Sequence, residues 1–175
     1  MAPHKLLISP IFKSLSKMRK FGYKRIIQNN IFEYCVKIKN IGDASLKGGL
    51  IKEIVITPVK NDVDFSTICD KEFEIPPLDP GDVSIIWFER LSLIFSGQFL
   101  LEIELKNLEG DKITSYLWDK DNRELVLSEP DNEWADYFYV KDEHSLQQEI
   151  TNILLIILTV LIFLEPVSIK ILASI

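Results

Sequence analysis

Between residues 31 and 127, apolar and polar positions alternate with a period of two. That is the pattern of strands with one face in a core and the other in water. In Ile31–Asn40, Phe32, Tyr34, Val36 and Ile38 share one face, while Glu33, Cys35, Lys37 and Lys39 share the other. Asn40-Ile41-Gly42-Asp43 closes this strand with turn residues, Gly42 being free to take a positive φ. Leu50–Thr57 is a second run, rich in β-branched residues and ended by Pro58. Phe73–Ile75 leads into the proline-rich turn Pro76–Gly81. Val83–Phe88 is almost wholly apolar, which predicts a central strand covered on both faces. Phe99, Leu101, Ile103 and Leu105 then alternate with Leu100, Glu102, Glu104 and Lys106. Glu109-Gly110-Asp111 reads as a hairpin turn feeding Lys112–Trp118, and Leu125–Leu127 adds one more short strand. Short strands separated by turn signals predict a mainly β fold, a two-sheet antiparallel sandwich over residues 26–128.

The pattern changes at the end of the chain. From Ile153 to Leu164 there is no charge, and Thr159 is the one polar residue. Ile153, Leu154, Leu155, Ile156, Ile157, Leu158, Val160, Leu161, Ile162, Phe163 and Leu164 lack the polar stripe of a helix lying on a domain surface. A spanning helix needs about 20 mostly apolar residues, and residues 150–169, between Glu149 and Lys170, have that length. Glu165 then falls near the far interface, where a carboxylate costs less than at the midplane. Pro166 is expected to end or kink the helix there. Residues 149–175 thus read as a C-terminal membrane anchor meeting lipid through 150–169. A helix packed on the domain or on a partner is the alternative.

Charge divides the chain. Residues 1–25 hold seven Lys and Arg and no acid, while the whole chain carries −6. The basic segment reads as a solvated arm, or as an amphipathic helix with Ile11, Phe12, Leu15 and Met18 on one face, attracted to anionic lipid. Nucleic acid is not an expected partner, because the acidic body repels phosphates. The apolar run Leu6–Ile8 is too short for a secretory signal and is followed by Pro10. The expectation is a single-pass membrane protein with its soluble domain in the cytoplasm, although the charges flanking the anchor leave topology open. Residues 129–148 form an acidic connector whose Trp134, Tyr137, Phe138 and Tyr139 are too aromatic for a free linker. They are expected to pack on the sandwich or at the membrane surface, with Asp142 or Ser145 capping the helix. Cys35 lies out of phase with the core positions of its strand, and with Cys69 it reads as a free thiol pair.

Little in the sequence points to catalysis. The two histidines, His4 and His144, lie in flanking segments outside the strand core, and no third group completes a nucleophilic triad. Two distant cysteines do not make a zinc site. Asp119, Asp121 and Glu124 begin like a calcium loop, but Arg123 stands at the fifth position and no glycine at the sixth, so a solvated turn competes with that reading. Gly48-Gly49 lacks the lysine of a phosphate loop. Trp87 and Trp118 read as core or sheet-face residues, and Glu102 and Glu104 as the wet side of a sheet. No cofactor and no enzymatic activity are expected.

Three turn motifs carry a family resemblance: Val36-Lys37-Ile38-Lys39-Asn40-Ile41-Gly42-Asp43, Leu78-Asp79-Pro80-Gly81-Asp82, and Gly97-Gln98-Phe99-Leu100-Leu101-Glu102. Over residues 31–106 they resemble the cell-adhesion-related (CARDB-type) immunoglobulin-like modules of bacteria and archaea. The resemblance implies an immunoglobulin-like sandwich acting as a non-catalytic spacer or binding surface. With the anchor, it gives a membrane-bound interaction module with a protein partner, or an accessory subunit of a membrane complex. The competing function is a hydrolase or carbohydrate-binding domain using loop acids such as Asp119, Asp121, Asp131 or Glu133.

Overall fold

In a computed structural model the chain is described over residues 4–15, 26–59, 66–69, 71–119, 121–129 and 131–172, with side chains to 162. Two mixed sheets pack face to face as an immunoglobulin-like sandwich, and one helix follows. The first sheet runs β11 (Glu124–Leu127), β10 (Ile113–Asp119), β1 (His4–Ser14), β3 (Ile31–Asn40), β7 (Val83–Trp87), with β8 (Leu91–Ser92) also on β3. The second runs β2 (Ile26–Ile27), β12 (Glu133–Lys141), β9 (Gly97–Asn107), β4 (Gly49–Pro58), β5 (Thr67–Cys69), with β6 (Phe73–Ile75) also on β4. Helix α1 spans Glu143–Leu172. Most neighbours are antiparallel, but β1 with β10 and β12 with β2 are parallel.

The alternating residues of β3 and β9 meet in one core. Phe32, Tyr34, Val36 and Ile38 face Phe99, Leu101, Ile103 and Leu105 across the sandwich, all buried. Phe12, Phe99 and Phe138 pack ring against ring, at centroid separations of 4.5 Å for Phe12–Phe138 and 5.5 Å for Phe99–Phe138. In β4 a bulge between Ile51 and Glu53 shifts the register by one residue. Ile51, Ile54 and Ile56 can therefore all point inward although their spacing is not uniformly two.

Several expectations are corrected. The basic N-terminus is neither arm nor helix over its first half: His4–Ser14 is a strand inside the first sheet, with Leu6 and Ile8 in the core. Pairing on both sides overrides a weak helical pattern. Pro10 fits because β1 pairs with β10 only up to Leu7, beyond which it has one neighbour, a position where a strand tolerates proline. Met18 lies outside the described residues. The connector is also a strand, β12, with Trp134 completely buried, so the sandwich extends from His4 to Lys141. Strand β7 is not central. It is an edge whose Val83, Ile85 and Trp87 are about half exposed. Glu109-Gly110-Asp111 does not close a hairpin, because β9 and β10 belong to different sheets. Gly42 serves close approach rather than positive φ: a Cβ there would lie 3.3 Å from the Lys5 backbone nitrogen, a tight contact that the strand would have to shift slightly to admit. Pro166 does not end α1, which continues to Leu172. A helix loses one backbone bond at proline without having to stop.

Candidate functional site

Helix α1 leaves the sandwich at a short, well-ordered root. Strand β12 passes into the helix through Asp142 alone, and the Asp142 carboxylate accepts the Ser145 N–H at 2.8 Å as the sequence anticipated for a cap. That bond to the charged form is the main reason the Asp142 carboxyl is held below the usual range. Leu146 is buried against the sandwich, and the Lys141 ammonium donates to the Glu149 carboxylate. From Thr151 onward contact with the sandwich ends. Every side chain to Ile162 is exposed, Leu154, Ile156 and Leu161 among them. Glu143–Ile162 is long and apolar enough to cross a membrane. At about 1.5 Å per residue it covers the roughly 30 Å of a hydrocarbon core. Phe163 and Leu164, the last two expected anchor residues, lie beyond the described side chains. Tyr137 and Tyr139, both exposed, stand on the part of β12 next to this root.

The outer face of the second sheet is acidic. The bulge in β4 sets Glu53 opposite Glu104, and Glu104 lies opposite Glu133 in β12, so three glutamates stand in one cross-strand row. Glu102 occupies the next row, and Glu129 completes a shallow depression with Val55 and Ala135. Lys52, the bulged residue, donates to Glu104 at 3.1 Å. Like charges directly opposite one another are destabilising, so this row is a cost the fold carries. All five glutamates are exposed or half-buried, and no wall excludes water from them.

The expected calcium-loop residues do not converge. Asp119 accepts the N–H groups of Asp121 at 2.8 Å and Asn122 at 3.2 Å and the Asn122 side-chain amide at 2.8 Å. These bonds, those from Asn122 first, hold its carboxyl below the usual range. Glu124 is its cross-strand neighbour, and Arg123 takes the left-handed conformation that closes the hairpin. Asp119 therefore serves its own turn. Asp131 pairs with Lys112 at the far end of β10, roughly 20 Å away along a seven-residue strand. The acids named for a loop active site are not brought together.

One grouping was not visible in the sequence. Among the described residues, His4, Glu109 and Asp111 are the three potential ligands whose ligating atoms lie within 4.8 Å of one another. His4 had been expected in a flanking segment; it is instead 6% exposed at the start of β1. Parallel pairing sets His4 beside Ile113 and so beside the β9–β10 turn. The signal that could have placed it was the alternation His4, Leu6, Ile8.

Cys35 points to the outer face as its phase implied, yet it is buried beside Trp87, and burial raises its thiol pKa. Trp87 and Trp118 are half-exposed sheet-face residues, the first beneath the Lys13 ammonium. Both cysteines are free. Strand β11 is a sheet edge with all four residues exposed.

No family model matches the chain, and no curated protein matches it. Among solved structures, the chain is similar to the CARDB domain of a Pyrococcus furiosus protein, crystallised in complex with di-metal ions. That likeness has 15% identity, covers 79% of this chain and 89% of that one, and has a TM-score of 0.43. The solution structure of the same domain gives 17% identity, 80% and 97% coverage, and a TM-score of 0.41. This is the group that the turn motifs resemble. A β-glucosidase from Listeria innocua is similar at 14% identity over 77% of this chain and 16% of the enzyme, with a TM-score of 0.36.

Proposed function

We propose that the chain is a non-catalytic interaction module: a β-sandwich held at a membrane by α1, on the cytoplasmic side, presenting its glutamate row to a basic segment of a protein partner. The observation that carries this reading is the unbroken exposure of the helix from Thr151 to Ile162, in an element capped and rooted on the sandwich. Apolar surface of that extent is not left in water; lipid or another helix must cover it. Tyr137 and Tyr139 near the root suit the headgroup layer, where rings with polar tips are favoured. Glu133 and Lys141 end the nine-residue β12, so the glutamate row stands roughly 25 Å from the root, beyond the reach of headgroup charge at physiological salt.

Two experiments test it. Alkaline carbonate should leave the full-length chain in the membrane pellet, and protease added to sealed cells should spare the sandwich. Recovery of the chain in the soluble fraction would overturn the tether. For the surface, an oligolysine peptide should bind with an affinity that falls steeply as salt rises and that is lost in Glu53→Gln/Glu133→Gln. The second reading, a carbohydrate-binding or hydrolytic domain, is favoured by the glutamate-lined depression alone. Saturable binding of a neutral oligosaccharide there would select it.

A further inference from the structure

We propose that His4, Glu109 and Asp111 bind a first-row divalent cation of the zinc class at the membrane-distal end of the sandwich. The topology gathers the ligands from segments far apart in sequence. The His4 N–H donates to the Lys112 carbonyl at 3.0 Å, which fixes the start of β1 against the turn that carries the two acids. That turn is itself ordered: Asn107, buried at the end of β9, accepts the Glu109 N–H at 3.1 Å, and Gly110 takes φ +81°. Asp111 Oδ2 lies 4.0 Å from His4 Nε2, too far for a hydrogen bond. Ligands about 2.0–2.2 Å from a shared ion stand roughly 3–3.5 Å apart, so the His4–Asp111 pair needs to contract by no more than about an ångström, and the full set, within 4.8 Å, by no more than about 2 Å.

The imidazole supplies the second argument. It is more than nine-tenths buried, and its Nδ1 has no hydrogen-bond partner. A buried polar ring left so poorly satisfied is costly. Coordination would use the other nitrogen, Nε2, which burial of the ring holds toward Asp111, and would leave the cost at Nδ1 in place. One imidazole nitrogen and two carboxylates suit zinc, cobalt or manganese better than calcium, which takes six to eight oxygens. Three protein ligands would leave a position for water. The Lys47 ammonium, 2.7 Å from the Glu109 carboxylate, is the competitor already in place. An ion must share Glu109 with it or displace it.

That competition gives the test its sign. The full-length chain in detergent micelles, stripped with chelator, is titrated with Co2+ and Zn2+ and followed by cobalt absorption and by thermal unfolding. The expected result is one bound ion and a raised Tm. His4→Gln and Asp111→Asn should each weaken binding at least tenfold, and Lys47→Met should tighten it several-fold. Asp119→Asn and His144→Gln should leave it unchanged. If His4→Gln fails to fold, Asp111→Asn and Glu109→Gln, both at positions outside the core, carry the test. Wild-type affinity in Asp111→Asn and Glu109→Gln, or loss of the ion only in His144→Gln, would overturn the site.

Discussion

Asn40 is the residue on which both early turn motifs converge, and replacing it with alanine should be among the most damaging polar substitutions in the sandwich. It is completely buried at the end of β3. Its side-chain amide donates to the carbonyls of Ala44 and Leu78, each at 2.9 Å, and its Oδ1 accepts the Gly42 N–H at 3.0 Å. Its backbone also bonds Gly81 and Asp82, and those bonds survive the substitution. Three side-chain bonds at about 0.5–1.5 kcal/mol each, with stranded partners that water reaches poorly, give a loss of about 2–4 kcal/mol. For a domain of this size that lowers Tm by roughly 5–15 °C. The assay is thermal unfolding of the full-length chain in micelles, followed by the β-sheet circular dichroism signal. Asn40→Asp should be worse than alanine, since it buries a carboxylate against two carbonyl oxygens. Ser45→Ala, which removes only the exposed bond to Asp79, should cost under about 0.5 kcal/mol. If Asn40→Ala unfolds within about 0.5 kcal/mol of wild type, the idea that one side chain organises both turns is wrong.

Other consequences are open to direct measurement. Trp134 is fully buried with its indole N–H unpartnered, so Trp134→Phe should cost under about 1.5 kcal/mol in urea unfolding, against about 3–5 kcal/mol for Trp134→Ala. The Asp142 carboxyl is depressed below 3.8 in the fold. Its contribution is therefore complete above that pH and vanishes as pH falls through the lower folded value. Asp142→Ala should remove that portion of the acid sensitivity of the helical signal. Ile156→Arg puts a charge into the middle of the exposed helix and should penalise insertion by about 2.5–3.5 kcal/mol, read as release of the chain by carbonate. Glu53→Gln/Glu133→Gln should raise sandwich stability by roughly 0.2–1 kcal/mol per opposed pair while abolishing oligolysine binding.

What could be read in advance follows from which forces act locally. Strands β3 and β9 were legible because alternation along one strand reports burial directly, and Phe32 through Ile38 and Phe99 through Leu105 have no competing signal. The long apolar helix was legible from Ile153–Leu164 because no charge interrupts that run. Strand β12 was hidden because Tyr137 and Tyr139 put aromatic rings on its outward face while Asp136 interrupts the inward set Trp134, Phe138 and Val140, so no alternation of apolar and polar residues shows. Strand β1 was hidden by Pro10 and by the lysines around it. Its placement depends on pairing with Ile113–Tyr116, more than 100 residues later, which no local pattern encodes. The β7 error has a different origin. A solid apolar run predicts two covered faces, and here one face is left open at a sheet edge. The grouping of His4 with Glu109 and Asp111 depends on that same parallel pairing, and so it was invisible for the same reason.

The glutamate row has two physical origins that pull in different directions. The bulge at Lys52 turns Ile54 and Ile56 into the core after Ile51, and burying two isoleucine side chains is worth about 1.5–3 kcal/mol each. A strand without the bulge would expose them. The same rotation brings Glu53 out opposite Glu104, so its exposure is a by-product of packing and needs no partner to explain it. Glu133 is different. It sits on another strand whose inward set, Trp134 and Val140, is satisfied whatever residue stands opposite Glu104. Neither packing nor the single ammonium of Lys52 requires a carboxylate there, and a neutral residue would be more stable. The case for a basic partner therefore rests on Glu133 more than on Glu53, and Glu133→Gln alone should remove most of the binding while Glu53→Gln alone removes less.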